Sequence, residues 1–270
     1  MALYARQDPF RFATITAAEI AATTDTSDAT VARAARKLGY KGTREWKRAC
    51  AEQVDHTLGL EASLRSKLAD LPDGDEKNIH LEAARSVLSS AAEALLALSD
   101  GLEASTLETA IGEIADSDRV FVYGLGTGYY AAEYLSLGMT RIGIEARACT
   151  GSGHTLADVI PNLRHSDVSI VIAPRIIIPD LEWYLAESVS RCSATILISA
   201  EFPPTRVRDK IVHIALPSTE KSLASDTLSA IAVADVLTSE MSRLNPARAL
   251  KHHQMVQELR ESIYQRQRGG

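Results

Sequence analysis

Cysteine is scarce in this chain. Cys50, Cys149 and Cys192 are its only three, odd in number and far apart. That excludes a disulfide framework and a cysteine-rich zinc site, and it suits a reducing compartment. No run of residues approaches the roughly 20 apolar positions of a membrane span, and Met1 to Phe10 carries charges in place of an apolar signal-peptide core. A dominant charge of one sign is missing too. With 29 basic and 35 acidic residues the net charge is −6, which argues against a surface coated uniformly with cations for nucleic acid. What is present is a chain of 270 residues, 46% hydrophobic, long enough for two domains and able to bury real cores. The expectation is a cytoplasmic protein with no membrane association, no metal site and no cofactor.

The sign of the charge changes along the chain. Residues 1–60 hold nine Lys/Arg against seven acids, a balance of +2, and the remainder holds 20 bases against 28 acids, a balance of −8. Between Arg33 and Arg48 there are seven bases and one acid, Glu45. This pattern fits a small anion-binding module joined to an acidic body, and equally a solvated helix face.

Local signals inside the basic block favour two short helices. Thr16-Ala-Ala-Glu19 has the form of a capping box, in which the Thr hydroxyl and the Glu carboxylate each take a free amide of the first turn. Ser27 is placed as the N-cap of a second helix running to Leu38, with Gly39 just beyond its end. On that helix Val31, Ala34, Ala35 and Leu38 share one face, while Arg33, Arg36 and Lys37 lie opposite with Ala29 and Ala32. Two short helices with a tight turn, the second bearing small and basic outer residues, describe a helix-turn-helix. Small residues let such a helix approach the floor of a DNA groove, and hydroxyl or guanidinium groups read base edges or hold phosphates. The candidate DNA contacts are Ser27, Thr30, Arg33 and Arg36, with Lys37, Lys41 and Arg44 supporting on phosphate. Ser27 also reads as only a cap and Thr30 as only a packing residue, and a plain helical hairpin with a charged surface fits the same pattern.

Residues 56–118 read as helical, with Leu58–Leu71, Ile79–Leu98 and Thr106–Ala115 as segments and Pro72-Asp-Gly-Asp75 as a break. From Arg119 the period changes. Val120–Tyr123, Ile144–Cys149, Val168–Ala173, Thr195–Ser199 and Ile211–Leu216 are short β-rich runs, most of them separated by helix patterns such as Tyr129–Ile142. That alternation predicts right-handed βαβ units and a five-stranded parallel sheet covered on both faces, with ligands gathering at the carboxyl ends of the strands.

The first strand runs straight into Gly124-Leu-Gly126-Thr127-Gly128. Glycines there let backbone amides and a helix N-terminus face an anion; they also suit a tight turn needed only for packing. Tyr129 stands where the dinucleotide fingerprint wants a third glycine, no acid ends the next strand, and the Lys-Ser/Thr of a P-loop is missing, so neither NAD nor ATP is indicated.

Two resemblances reinforce each other. Thr16-Ala-Ala-Glu-Ile-Ala followed by Ser27-Asp-Ala-Thr-Val-Ala-Arg-Ala-Ala-Arg-Lys-Leu-Gly-Tyr resembles the helix-turn-helix of the RpiR family of bacterial transcriptional regulators. Roughly Thr106 to Met241 is similar to the SIS (sugar isomerase) domain that follows it in that family. The residues that carry this are Val-Tyr-Gly124-Leu-Gly-Thr, the Ala-Ala-Glu-Tyr-Leu and Arg-Ile-Gly143 beyond it, and Pro217-Ser-Thr-Glu220-Lys-Ser-Leu-Ala-Ser225. The resemblance implies an all-α helix-turn-helix domain followed by an α/β SIS domain, a five-stranded parallel, flavodoxin-like three-layer sandwich. The corresponding divisions are 1–55 for the DNA-binding domain with a shortened first helix, 56–105 for a helical linker, 106–245 for the SIS domain and 246–270 for a C-terminal helix. It implies a homodimeric or homotetrameric regulator that binds a double-stranded operator and senses a phosphosugar or other small anion.

Against that family the sensor loops have changed. SIS domains offer phosphate a Ser in the first glycine loop and a hydroxyl-rich loop after the third strand. Here Thr127 is the hydroxyl left in the first, and the second reads Ala173-Pro-Arg175-Ile-Ile-Ile-Pro179. At about 1.5–3 kcal/mol for each charge-assisted bond, such losses predict phosphosugar binding weakened by orders of magnitude. Arg175 is the replacement anion ligand, favouring a carboxylate or a differently placed phosphate; Ile176 to Ile178 fit an apolar pocket or an oligomer contact as well. The candidate effector residues are therefore Gly124, Gly126, Thr127, Gly128, Arg175 and Glu220. Glu220 also matches the acid/base carboxylate of catalytic SIS domains, with His154 and His213 as possible partners, so an aldose–ketose isomerase is the alternative. His252 and His253, adjacent on the last helix, read as surface residues.

Overall fold

The computed structural model describes residues 12, 16–24, 26–47, 65, 79–175, 177–217 and 226–268. The chain divides into two compact units, Met1–Leu71 and Pro72–Gly270.

In the first unit α1 spans Ala17–Thr23 and α2 spans Asp28–Lys37. Both starts are fixed by side-chain caps. Glu19 N–H donates to Thr16 Oγ1 at 3.2 Å and Thr16 N–H to Glu19 Oε2 at 2.6 Å, a complete capping box. These bonds hold the Glu19 carboxyl below the usual carboxylate range. Thr30 N–H donates to Ser27 Oγ at 3.3 Å, capping α2. α2 ends on Gly39, whose φ of +92° lets Gly39 N–H reach Arg36 O and Tyr40 N–H reach Ala35 O, both at 3.0 Å. A further helical turn follows at 43–47. Ile20, Ala21, Val31 and Ala35 pack with Phe12 and Trp46 into one small core, the two rings 4.5 Å apart. Leu38 is not part of it. At the C-cap, where the chain turns off the helix axis, its side chain is 49% exposed.

The second unit is a three-layer sandwich. Its elements are α3 (Ile79–Gly101), α4 (Ala104–Asp116), β1 (Arg119–Gly124), α5 (Thr127–Arg141), β2 (Ala146–Cys149), the short α6 (Leu156–Val159), β3 (Asp167–Ala173), α7 (Pro179–Arg191), β4 (Ala194–Ser199), β5 (Val212–Ala215), α8 (Asp226–Leu244) and α9 (Pro246–Arg268). The strands are parallel in the order β2-β1-β3-β4-β5, the flavodoxin-like order. Alternation along β3 shows how the sheet is buried on both faces. Val168, Ile170 and Ile172 pack with α4, α5 and α8, while Val171 and Ala173 pack with α7 and the 156–163 segment.

β2 is shorter than the apolar run that suggests it. Gly143 turns the chain at φ +83°, and Ile144 N–H donates back to Met139 O at 3.0 Å, so Ile144 closes the turn after α5 and the strand starts at Ala146. A Cβ on Gly143 would lie 2.4 Å from the His252 ring, which places His252 half-buried against this turn, whereas His253 is exposed. No helix among the described residues is long and apolar enough to cross a membrane.

Candidate functional site

The outer face of α2 presents a connected polar row. Ser27 Oγ lies 3.0 Å from Thr30 Oγ1, which accepts from Arg33 Nη2 at 3.0 Å. The row exists because residues three apart stack on a helix surface. Ser27 and Arg33 are exposed and Thr30 is half-buried. Ser27 thus spends its hydroxyl on the cap and on Thr30, and Arg33 is steered by Thr30. Arg36, Lys37, Lys41 and Arg44 are exposed too, with Lys41 N–H held by the Glu45 carboxylate. Arg36 and Lys37 lie in the last turn of α2, where cations complement the helix dipole. The side chains that keep this face turned outward are Val31 and Ala35, both fully buried on the opposite side. Phe12 and Trp46, which close that core, carry no spacing signal in the sequence; their one visible cue is that they are aromatic residues flanking the two helices.

In the second unit the chain leaves β1 for β2 on one side and returns to β3 on the other, so the carboxyl ends of β1 and β3 form the topological switch point. The glycine loop sits there. Gly126, with φ +55° and ψ −126°, takes a conformation open to glycine and serves as the N-cap of α5 without a side-chain cap. Gly124 and Gly128 are needed for close approach: a Cβ on Gly128 would lie 2.5 Å from Ile172 O and 3.2 Å from Pro174 Cδ. The loop therefore presses on the end of β3, bringing the segment of Thr127 against the segment of Arg175. Thr127 is exposed at the first turn of α5, which carries no acid, and Arg175 is half-buried. Glu220 lies outside the described residues, as do Cys50, the 58–71 segment apart from residue 65, and the 72–75 break.

The rim around this point holds two carboxylates that the sequence patterns do not flag. Asp180 accepts from Gly153 N–H at 3.1 Å and Glu201 accepts from Ile177 N–H at 2.9 Å, tying together the loops after β2, β3 and β4. Asp180 and Glu182 also load the first turn of α7 with acid, so an incoming anion is disfavoured there and favoured at α5. Under the rim Tyr123 stacks on Tyr184 at 4.0 Å and donates to Gly151 O at 2.5 Å. Burial pushes the Tyr123 phenol well up, so it stays a neutral donor.

The two histidines sit on different elements, one in the loop after β2 and one on β5. His154 is exposed in the turn Gly153–Thr155. His213 is half-buried on β5, its Nε2 3.2 Å from Ser199 O and 3.1 Å from Ser199 Oγ. The Ser199 hydroxyl proton goes to Glu201 O at 2.5 Å, so the imidazole is the donor and carries its proton on Nε2. Burial holds the His213 pKa below its ordinary value. A cleft of about 210 Å³ opens beside it, lined by Leu102, Glu103, Thr106 and Phe202 among others. Cys149 and Cys192 are buried in the core, and burial lifts the Cys192 thiol to about 12, which leaves it unreactive. Among the described residues no group of three or more His, Cys, Asp or Glu is arranged to hold a metal ion.

No family model matches the chain, and no curated protein matches it. Solved structures do. The sugar isomerase domain of the RpiR transcription factor from Sphaerobacter thermophilus is 26% identical with a TM-score of 0.57, covering 65% of this chain and 98% of that one. The Vibrio vulnificus NanR protein complexed with ManNAc-6P is 18% identical with a TM-score of 0.57, covering 96% of this chain and 90% of that one. A phosphoheptose isomerase from Francisella tularensis is 14% identical with a TM-score of 0.50, covering 60% of this chain and 98% of that one.

Proposed function

We propose that this chain, an RpiR-type protein with a helix-turn-helix ahead of a SIS domain, regulates transcription by binding an operator through α2 and a small anionic, sugar-derived metabolite through the SIS domain. The observation that carries the reading is the outer face of α2, where Ser27, Thr30 and Arg33 form a hydrogen-bonded row flanked by exposed Arg36 and Lys37. Such a row combines the small residues, hydroxyls and guanidinium groups that groove recognition needs. One short helix reads few base pairs, so two heads on a homodimer or homotetramer and a pseudo-palindromic site go with it.

The metabolite end is the α5 N-terminus, with Gly124, Gly126, Thr127 and Gly128 supplying backbone and hydroxyl donors and Arg175 a guanidinium. The likeness to a NanR structure holding ManNAc-6P supports a sugar-derived anion. The acids at the start of α7 favour a ligand with a single anionic group, lodged at α5. Nuclease footprinting on DNA beside the protein's own gene tests the first half: a protected, roughly two-fold symmetric stretch is expected, and its absence with every candidate inducer overturns it. A thermal-shift screen of phosphosugars and organic acids, repeated with Arg175→Ala, tests the second. Stabilisation grows as RT ln(1 + [L]/Kd), so a true effector raises the melting temperature of the parent and much less that of the variant.

The isomerase alternative rests on Glu220, and the phosphoheptose isomerase likeness keeps it in view. Incubation with aldose phosphates separates the two readings: ketose formation supports the enzyme, and none is expected.

A further inference from the structure

The glycine loop has fewer donors to offer than its glycines suggest. Gly128 N–H donates to Leu125 O at 3.0 Å and Tyr129 N–H to Gly126 O at 3.3 Å, so both amides are used inside the turn. Thr127 is the first residue of α5, where an amide has no partner within the helix. Arg175 makes no ion pair with a described residue. A guanidinium and one threonine amide and hydroxyl suit a carboxylate, whose two oxygens the guanidinium takes side by side. A phosphate dianion brings a third oxygen and twice the charge.

The surroundings act in the same direction. Glu201 Oε2 accepts from Ile177 N–H at 2.9 Å. Ile177 is two residues beyond Arg175, which places that carboxylate within about 10 Å of the Arg175 Cα. The separation is about one Debye length in physiological salt, so the charge is felt there. Glu201 is also fixed at its backbone: its carbonyl accepts from the Ser199 hydroxyl at 2.5 Å, and Ser199 Oγ lies 3.1 Å from His213 Nε2. Asp180 is tied to Gly153 in the loop after β2, whereas Glu201 follows β4, so the order β2-β1-β3-β4 sets the two acids on either flank of the switch point. After burial, the Asp180 charge is the next largest cause of the raised Tyr123 phenol at the end of β1.

We propose that this site takes a sugar-derived carboxylate, a sugar acid, and that Glu201 and Asp180 are the residues that exclude a phosphate dianion. The proposal rests on the anion site argued above and names the ligand class of that site. Arg175 supplies one positive charge and the start of α5 about half of one. Against two flanking acids that balance accommodates a monoanion. Coulomb repulsion is proportional to ligand charge, so each acid opposes a dianion twice as strongly as a monoanion.

Titration calorimetry on the full chain, at about pH 7.5 where a phosphate monoester is a dianion, compares hexonates and hexuronates with hexose 6-phosphates. The parent is expected to bind a sugar acid about tenfold or more tighter than any of the phosphates, and Arg175→Ala is expected to lose it. Glu201→Gln and Asp180→Asn remove a charge yet keep an oxygen acceptor for the Ile177 and Gly153 amides. Each is expected to tighten binding by about threefold per unit of ligand charge, hence about tenfold for a phosphate. A phosphate bound tighter than every sugar acid, and lost in Arg175→Ala, overturns the proposal and leaves the anion site standing. Equal gains for both ligand classes in the two neutralised variants overturn the part given to the flanking acids. Binding of neither class, in parent or variants, overturns the anion site itself and this proposal with it.

Discussion

Arg119 and Asp167 clamp the amino ends of β1 and β3 with a two-point ion pair, Nε to Oδ1 at 2.9 Å and Nη2 to Oδ2 at 2.7 Å. Asp167 is fully buried and Arg119 a fifth exposed. The carboxylate also accepts from Arg164 N–H at 2.8 Å, so it ends the preceding loop as well as joining the strands. The guanidinium lies over the Phe121 ring, 5.0 Å from its centroid. Asp167 keeps the Arg119 pKa above its ordinary value. Removing one partner of a buried pair strands the other and costs about 3–5 kcal/mol. Asp167→Ala is therefore expected to lower the urea midpoint of the Pro72–Gly270 unit severely. A change below 1 kcal/mol would show that water replaces the lost acceptor.

Gly128 makes a second, independent demand on the same sheet at the opposite, carboxyl end of β3. With a Cβ 2.5 Å from a backbone oxygen of β3, the alanine variant must push the glycine loop off the strand, at a cost of about 2 kcal/mol for forced overpacking. Because the displaced segment is the proposed anion donor, Gly128→Ala is expected to abolish the ligand-induced thermal shift as well as lower the melting temperature. Retention of both would leave the loop free of any packing role.

Much of this was legible in the sequence, and the reasons differ by element. The strands were readable because a sheet covered on both faces needs continuous apolar runs, and Val168–Ala173 is one. The two N-terminal helices were readable because Thr16, Glu19 and Ser27 announce their caps within four residues. The start of β2 was not, because Ile144 is apolar like a strand residue yet is bound to Met139 by the local turn at Gly143. The rim carboxylates were out of reach for another reason. Glu201 meets Ile177 across 24 residues and Asp180 meets Gly153 across 27, pairings that only the crossover topology creates.

Trp46 tests how much of the first unit depends on its few buried rings. It is 3% exposed and stacks near Tyr40 while touching Phe12. Truncating a buried tryptophan costs about 3–5 kcal/mol, a large share of what so small a core supplies. Trp46→Ala is expected to make residues 16–47 protease-sensitive at temperatures where the second unit remains folded. Equal resistance to proteolysis in parent and variant would move the core elsewhere.

His213 sets a direction for pH dependence. Its pKa is lowered in the folded state, chiefly by burial, with the Ser199 carbonyl bond opposing and Arg208 adding to the effect. The unfolded chain therefore binds more protons than the folded one as pH falls below the ordinary histidine value of 6.5, and stability falls with it. Above that value the contribution is flat. The parent is expected to lose melting temperature between pH 7 and pH 5 more steeply than His213→Gln does, as calorimetry at constant ionic strength would record. Parallel slopes would place the titrating group elsewhere.

The candidate DNA contacts of the first unit separate by the role each would play on a duplex. Thr30 holds Arg33 on the outer face of α2; if Arg33 reads a base edge, as the proposed function has it, Arg33→Ala is expected to cost about 1–3 kcal/mol at the preferred operator and to relax the preference at one position. Lys41, exposed and beyond the end of α2, is the phosphate contact in the proposed function. Lys41→Ala is expected to weaken all sequences alike and to reduce the slope of log K against log salt by about one. Ser27 needs a paired comparison, because Ser27→Ala removes a cap worth about 1 kcal/mol whatever the hydroxyl does on DNA. Ser27→Asn keeps the cap. If both variants lose operator affinity equally in mobility-shift titrations, Ser27 contacts the duplex; if only the alanine does, its role ends at the helix start.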